Sequence, residues 1–218
     1  MNYQLALEQK LEALDGRTPA LLLHCCCAVC SSYVLDYLSR YFEVTALFYN
    51  PNIYPRAEYE RRKDALQQLI RLADYPNPVH EIDLDYDHAA FTAAARGLEA
   101  EPEGGARCAA CFALRLGFAA REAAARGIGL VCTTLTISPH KNAQCINEIG
   151  AAAASRAGVE WLPADFKKKD GFRRANELTA RYGLYRQNYC GCEFAMGHLT
   201  GTTGAAGAAG AAGAAHGG

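Results

Sequence analysis

Two hydrophobic periods alternate along the chain. Short apolar runs bounded by turn residues fall at residues 20–24, 44–49, 79–82, 130–135 and 159–162. Apolar side chains on consecutive positions in so short a run suit a strand buried on both faces. Between these runs the spacing becomes helical. Residues 31–40 place Val34, Leu35 and Leu38 on one face, and residues 58–72 do the same with Leu66, Leu69 and Ile70. Residues 112–126 and 142–157 are Ala-rich and also suit helices. Strand–helix alternation predicts an α/β fold, a doubly wound, Rossmann-like parallel sheet flanked by helices. Right-handed crossovers then put every strand C-terminus along one edge, where such folds bind ligands.

The chain divides on the same pattern. Residues 1–18 read as an N-terminal helical segment and residues 19–199 as one α/β metal-binding catalytic domain. Residues 200–218 are low-complexity Gly/Ala with almost no side chain to bury, and read as a disordered tail.

Composition narrows the class. With 218 residues, half of them hydrophobic, the chain can bury one well-formed core. The formal net charge of −1 argues against a protein that coats DNA or RNA unspecifically, while leaving room for a local basic face. No apolar run is long enough to span a bilayer, and residues 1–16 lack the apolar stretch of a signal peptide, so a cytoplasmic protein without a membrane partner is expected. Thiols stay reduced in that compartment, which favours metal binding or redox chemistry over structural disulfides.

The cysteines carry the strongest chemical signal. There are ten, and eight fall into three knots: Cys25, Cys26, Cys27 and Cys30; Cys108 and Cys111; Cys190 and Cys192. Thiolates that share an ion or cluster must converge, and short-range pairs do this readily. Cys26 and Cys27 fall where a strand becomes a helix, a place whose free N–H groups favour thiolate. Cys108 and Cys111 form a CxxC clamp at a helix start. These four thiolates suffice for a 4Fe–4S cluster or, more plainly, a zinc site. Cys190 and Cys192 flank a glycine. They suit a small reducible disulfide ring, or a second metal clamp with Cys30 as third ligand. Cys25, Cys132 and Cys145 read as packing residues.

Three polar segments complete the picture. Residues 133–142 (TTLTISPHKN) leave a strand and open a helix, where hydroxyls, amides and Lys141 suit an anion; the plainer reading is a helix start capped by Ser138 with Pro139 first. Residues 165–174 (DFKKKDGFRR), with Arg181 and Arg186, form a basic run able to meet RNA phosphates, although such runs are more often solvated faces. Residues 49–55 (YNPNIYP) lie beyond the second strand, where Asn and Tyr groups suit a polar substrate or simply a rigid turn.

Six blocks together, LLLHCCCAVCSSYVL, LFYNPNIYPRAEY, CAACFALRL, TTLTISPHKN, LPADFKKKDGF and GLYRQNYCGCEFA, resemble the signatures of the QueH-type epoxyqueuosine reductases. Val29 stands where that family usually has Pro, and Ala164 where it usually has Ser; neither change removes a ligand. The resemblance implies a HUP-class fold and a 4Fe–4S cluster on Cys26, Cys27, Cys108 and Cys111. It implies that Cys190 and Cys192 are catalytic, as a redox disulfide or as ligands of an adjacent mononuclear iron. The implied reaction removes the epoxide oxygen of epoxyqueuosine, at the wobble position of a tRNA anticodon loop, as water. That consumes two protons, for which His24, Tyr49 and Lys141 are candidate donors, and two electrons from a donor these motifs do not encode. A zinc-stabilised RNA-binding module without redox activity is the alternative. An ATP-using sulfur-transfer enzyme of similar fold is disfavoured, because cysteines occupy the place of an SGGxDS-type phosphate loop.

Overall fold

A computed structural model describes residues 1–195. The elements run α1 (Tyr3–Glu12), β1 (Ala20–His24), α2 (Ala28–Leu38), β2 (Glu43–Leu47), α3 (Arg56–Leu72), β3 (Val79–Ile82), α4 (His88–Ala95), α5 (Ala106–Ala125), β4 (Leu130–Thr133), α6 (Ala143–Ala157), β5 (Glu160–Trp161) and α7 (Gly171–Arg181). The strands form a single parallel sheet in the order β3-β2-β1-β4-β5. The predicted α/β architecture is therefore the observed one. The Gly/Ala tail lies outside the described residues.

Alternation along β1 splits the core in two. Leu21 and Leu23 face a layer built from α1, α2, α3 and α7, packing with Leu7, Val34, Leu35, Leu66, Leu69 and Ala175. Leu22 faces the opposite layer, with Leu116, Ala119 and Ala123 of α5 and Ile146 and Ala154 of α6. A central strand buried on both sides explains why its sequence lacks a polar alternation.

Two expectations are corrected, and one element is added. The fourth strand stops at Thr133, and Thr134–Ile137 turn into a 3-10 helix in which the Thr133 hydroxyl accepts from Leu135 N at 3.2 Å. The cap of α6 is Asn142, not Ser138: Asn142 Oδ1 accepts from Gln144 N (2.9 Å) and Cys145 N (3.2 Å), so Ser138 to Lys141 form a free-standing turn ahead of the helix. The basic run contains the start of a helix, α7. At Gly171 a Cβ would fall 1.8 Å from Phe166 O, so only glycine permits that start.

The strand order reverses between β1 and β4. β1 leads into the first cysteine knot and β4 into the turn bearing Lys141. Both therefore open into the crevice at the carboxyl end of the sheet, where folds of this topology bind ligands.

Candidate metal centre and cavity

The first knot is the junction between β1 and α2. Cys25 N donates to Leu47 O at 2.8 Å, continuing the ladder one residue past the strand. Cys26 leaves it, its N–H donating to Thr134 Oγ1 at 3.0 Å, and the Thr134 hydroxyl donates to Cys26 Sγ at 3.3 Å. Cys27 is the N-cap of α2, its sulfur accepting from Cys30 N at 3.3 Å. The Sγ atoms of Cys26, Cys27 and Cys30 lie within 4.8 Å of one another, a set able to hold a metal. A tetrahedral ion with thiolates at about 2.3 Å spaces them by about 3.8 Å.

The trio concentrates charge on one sulfur. Hydrogen bonds from Cys27 and Cys30 hold the Cys26 thiol well below its ordinary pKa, and Lys141 and Arg115 assist. The donors move the other way: Cys27 is pushed up to about 12, and Cys30 is raised too, each chiefly through its bond to Cys26. Burial disfavours the Lys141 ammonium, but the negative potential of Cys190, Cys26 and Cys30 outweighs it and raises the lysine.

The second knot sits on the opening turns of α5. Cys108 Sγ accepts from Gly104 N at 3.2 Å, and Cys108 packs with Cys26 against the same apolar cluster. Burial pushes Cys111 up to about 11; Arg115 opposes this, donating to its sulfur at 3.9 Å, while Cys190 and Cys192 add to it. The third knot thus faces the second. Cys190 and Cys192 are thiols here, and burial raises Cys192. Cys192 packs against Cys111, and both Cys108 and Cys111 stand outside the tight trio, whose region brings the first knot together with Cys190.

A cavity of about 640 Å³ opens on this region. Its lining includes Cys26, Cys27, Cys30, Cys190, Arg62, Arg115, Lys141 and Arg186. Asn50 of the 49–55 segment also lines it, held by bonds from Arg115 to Asn50 Oδ1 and from Asn50 Nδ2 to Cys25 O (2.9 Å). Phe172 is the one member of the 165–174 run on this wall. Much of that run is neutralised: Lys167 pairs with Asp165 (2.6 Å), Lys169 with Glu8, and Arg173 with Asp170 and Glu177.

The three candidate proton donors separate. His24 is fully buried, its Nε2–H donating to Tyr49 O at 3.1 Å and its Nδ1 accepting from Thr133 Oγ1 at 2.8 Å. Desolvation, with help from Arg115, pushes its pKa down to about 3, so the ring is neutral and has no proton to give near pH 7. Tyr49 is buried and stacked on Phe118 at 3.8 Å. Lys141 alone of the three lines the cavity.

The sequence reading missed Arg62 and Arg115, both almost wholly buried beside the cysteines. The signal was present: each falls on the apolar face of its helix, with Tyr59, Leu66 and Leu69 around Arg62, and Cys111, Phe112 and Leu116 around Arg115.

A sequence model described as "Epoxyqueuosine reductase QueH" matches residues 21–198. The chain belongs to the QueH family. Proteins named epoxyqueuosine reductase QueH show the same relationship. The one from Streptococcus pyogenes is 41% identical over 199 residues, covering 89% of this chain and 78% of the relative. The one from Staphylococcus epidermidis is 43% identical over 187 residues, covering 83% and 78%. The QueH of Thermotoga maritima, 34% identical over 179 residues, is covered over 90% of its length. The family's extent coincides with the sheet and all three knots. Among the described residues no helix is long and apolar enough to cross a membrane.

Proposed function

We propose that this chain reduces epoxyqueuosine to queuosine in tRNA, taking two electrons from a separate donor and two protons and releasing the epoxide oxygen as water. The observation that carries the reading is one cavity, at the switch point of the sheet, bordered by thiols from knots far apart in the chain.

Cys26, Cys27, Cys108 and Cys111 would hold a 4Fe–4S cluster, and the donor set fits it. Cys108 packs with Cys26 against one apolar cluster, and Arg115, which lowers the Cys26 thiol, also donates to Cys111 and so offsets the negative charge of thiolate ligation. When bound, the cluster supplies single electrons. Cys190 and Cys192 are the catalytic thiols beside it, and with Cys30 they offer ligands for a second, mononuclear iron. Lys141, cationic and on the cavity wall, holds a proton on Nζ for the departing oxygen and presents positive charge to it. Arg186, on the same wall, meets tRNA phosphate, while the unstacked wobble base enters the cavity. The reaction takes place in the cytoplasm.

The test is mass analysis of epoxyqueuosine-containing tRNA after anaerobic incubation with the protein and a reductant. Loss of one oxygen from the modified nucleoside is expected. A colourless protein that holds zinc alone and leaves the nucleoside unchanged overturns the reading and favours the RNA-binding alternative.

A further inference from the structure

The third knot has no regular secondary structure of its own, yet its backbone is pinned at three successive carbonyls. Arg62 Nη2 donates to Tyr189 O at 3.3 Å and Arg62 Nη1 to Cys190 O at 3.1 Å. Tyr54 N donates to Gly191 O at 2.8 Å. The Tyr189 ring closes the arrangement, its hydroxyl donating to Tyr54 O at 2.6 Å and its face lying 4.9 Å from Arg62 Cζ.

The guanidinium is itself held in place. Glu58, one turn earlier on α3, accepts from Arg62 Nε at 2.7 Å and from the Tyr185 hydroxyl at 2.9 Å. The pair is sequestered, with Arg62 3% exposed and Glu58 10%. A planar fork bonded on three edges fixes orientation as well as position, which a lysine cannot do. Gly191 fits the same design: its φ is +103°, and a Cβ there would lie 2.9 Å from Arg62 Nη1 and 3.0 Å from Ile53 Cγ1.

We infer that Arg62, oriented by Glu58, is a positioning residue for Cys190 and Cys192, clamping the segment from Tyr185 to Gly191 onto α3 so that Cys190 lines the cavity beside the first knot and Cys192 packs against Cys111 of the second. Arg62 acts through backbone carbonyls and touches neither sulfur in this arrangement. Its removal frees two of the three pinned carbonyls while leaving Cys26, Cys27, Cys108 and Cys111 where they are. The proposal deepens the reductase reading, and only its turnover arm depends on that reading.

The test compares wild type with Arg62→Gln, Arg62→Lys and Glu58→Gln, all reconstituted anaerobically with iron and sulfide. Iodoacetamide labelling is mapped by mass spectrometry at Cys190, Cys192 and the core thiol Cys132. Labelling of Cys190 and Cys192 is expected to rise at least about tenfold in Arg62→Gln, less in Glu58→Gln and Arg62→Lys, with Cys132 still protected. Absorbance at about 400 nm should match wild type, because the first two knots are intact. On tRNA, kcat should fall about tenfold or more with KM within about twofold, and Arg62→Lys should recover part of it. If Arg62→Gln does not fold, Glu58→Gln carries the same comparison. Unchanged labelling at both thiols overturns the clamp, and so does labelling that rises equally at Cys132, since that is general loosening. Unmasked thiols in the variants of a wild-type protein inert on tRNA support the clamp and overturn the reductase reading.

Discussion

Asn147 offers the most direct test of how the fold supports the cavity. It sits on α6, 2% exposed, and spends every polar atom on a neighbour. Nδ2 donates to Ala143 O (2.8 Å) and Ala164 O (2.9 Å), while Oδ1 accepts from Trp161 Nε1 (3.0 Å) and Ala164 N (3.0 Å). One amide thus ties the helix that follows the Lys141 turn to β5 and to the strand exit beyond it. In Asn147→Ala the indole N–H and both polar groups of Ala164 lose their partner. A buried orphan costs about 1–3 kcal/mol, so three of them, partly relieved by entering water, amount to about 3–5 kcal/mol. That is a large share of the about 5–15 kcal/mol typical of a domain. With m of about 2–3 kcal/mol/M in urea, the midpoint should fall by about 1–2.5 M. Trp161 is the chain's single tryptophan, so its fluorescence reports unfolding from the site itself, with far-UV circular dichroism as the second probe. A loss below about 1 kcal/mol, with both probes coincident, would show that these bonds do not hold the layer.

Other expectations are more local. In apo-protein His24 should make folding acid-sensitive. Its folded pKa of about 3 lies below the ordinary 6.5, so the unfolded chain takes up the extra proton; stability is full above pH 6.5 and falls toward pH 3 by up to about 1.4 kcal/mol per pH unit. Urea midpoints between pH 7.5 and 5 should drop less steeply in His24→Gln, and parallel slopes would refute this. Lys141→Met should shift the pH profile of Cys26 alkylation upward in apo-protein, since a cation that favours the thiolate is gone; an unmoved profile refutes the role. Cys108→Ala should lose bound iron, sulfide and turnover together, whereas Cys190→Ala should keep the cluster and lose turnover. Full multiple turnover by Cys190→Ala would remove the third knot from the reaction.

The central strand was legible because burial on both faces leaves no room for a polar alternation, and the outer β3 because turn residues bound it. Ala20–His24 and Val79–Ile82 match the predicted bounds residue for residue. The errors fall where a side-chain oxygen competes for the backbone. Thr133 draws Leu135 N out of strand geometry, and Asn142 takes the cap that Ser138 and Pro139 advertise. α7 was hidden because the charges at its start, which suggest a solvated run, pair locally, Arg173 with Asp170 and Glu177 and the preceding Lys169 with Glu8 of α1, while the helix's apolar face packs on α2. Cys25 and Cys132 are core thiols as read, donating to Leu23 O and Leu162 O from within the first layer.

The cysteine knots were legible as chemistry but not as a geometry. Spacing reveals which sulfurs are near in sequence; only the strand order brings β1, the start of α5 and the segment after α7 to one crevice. The buried arginines then decide what those sulfurs become. Arg115 donates to Cys111 from one side and lowers the thiol of Cys26 on the other, so a single cation serves two knots. Arg62 reaches the third through its carbonyls. A guanidinium is tolerated inside a core only where its charge and N–H groups are met. Their burial on α3 and α5 therefore goes with the convergence that makes the site: Glu58 and the carbonyls of Tyr189 and Cys190 meet Arg62, and Asn50 Oδ1 and the Cys111 sulfur meet the Arg115 Nη groups.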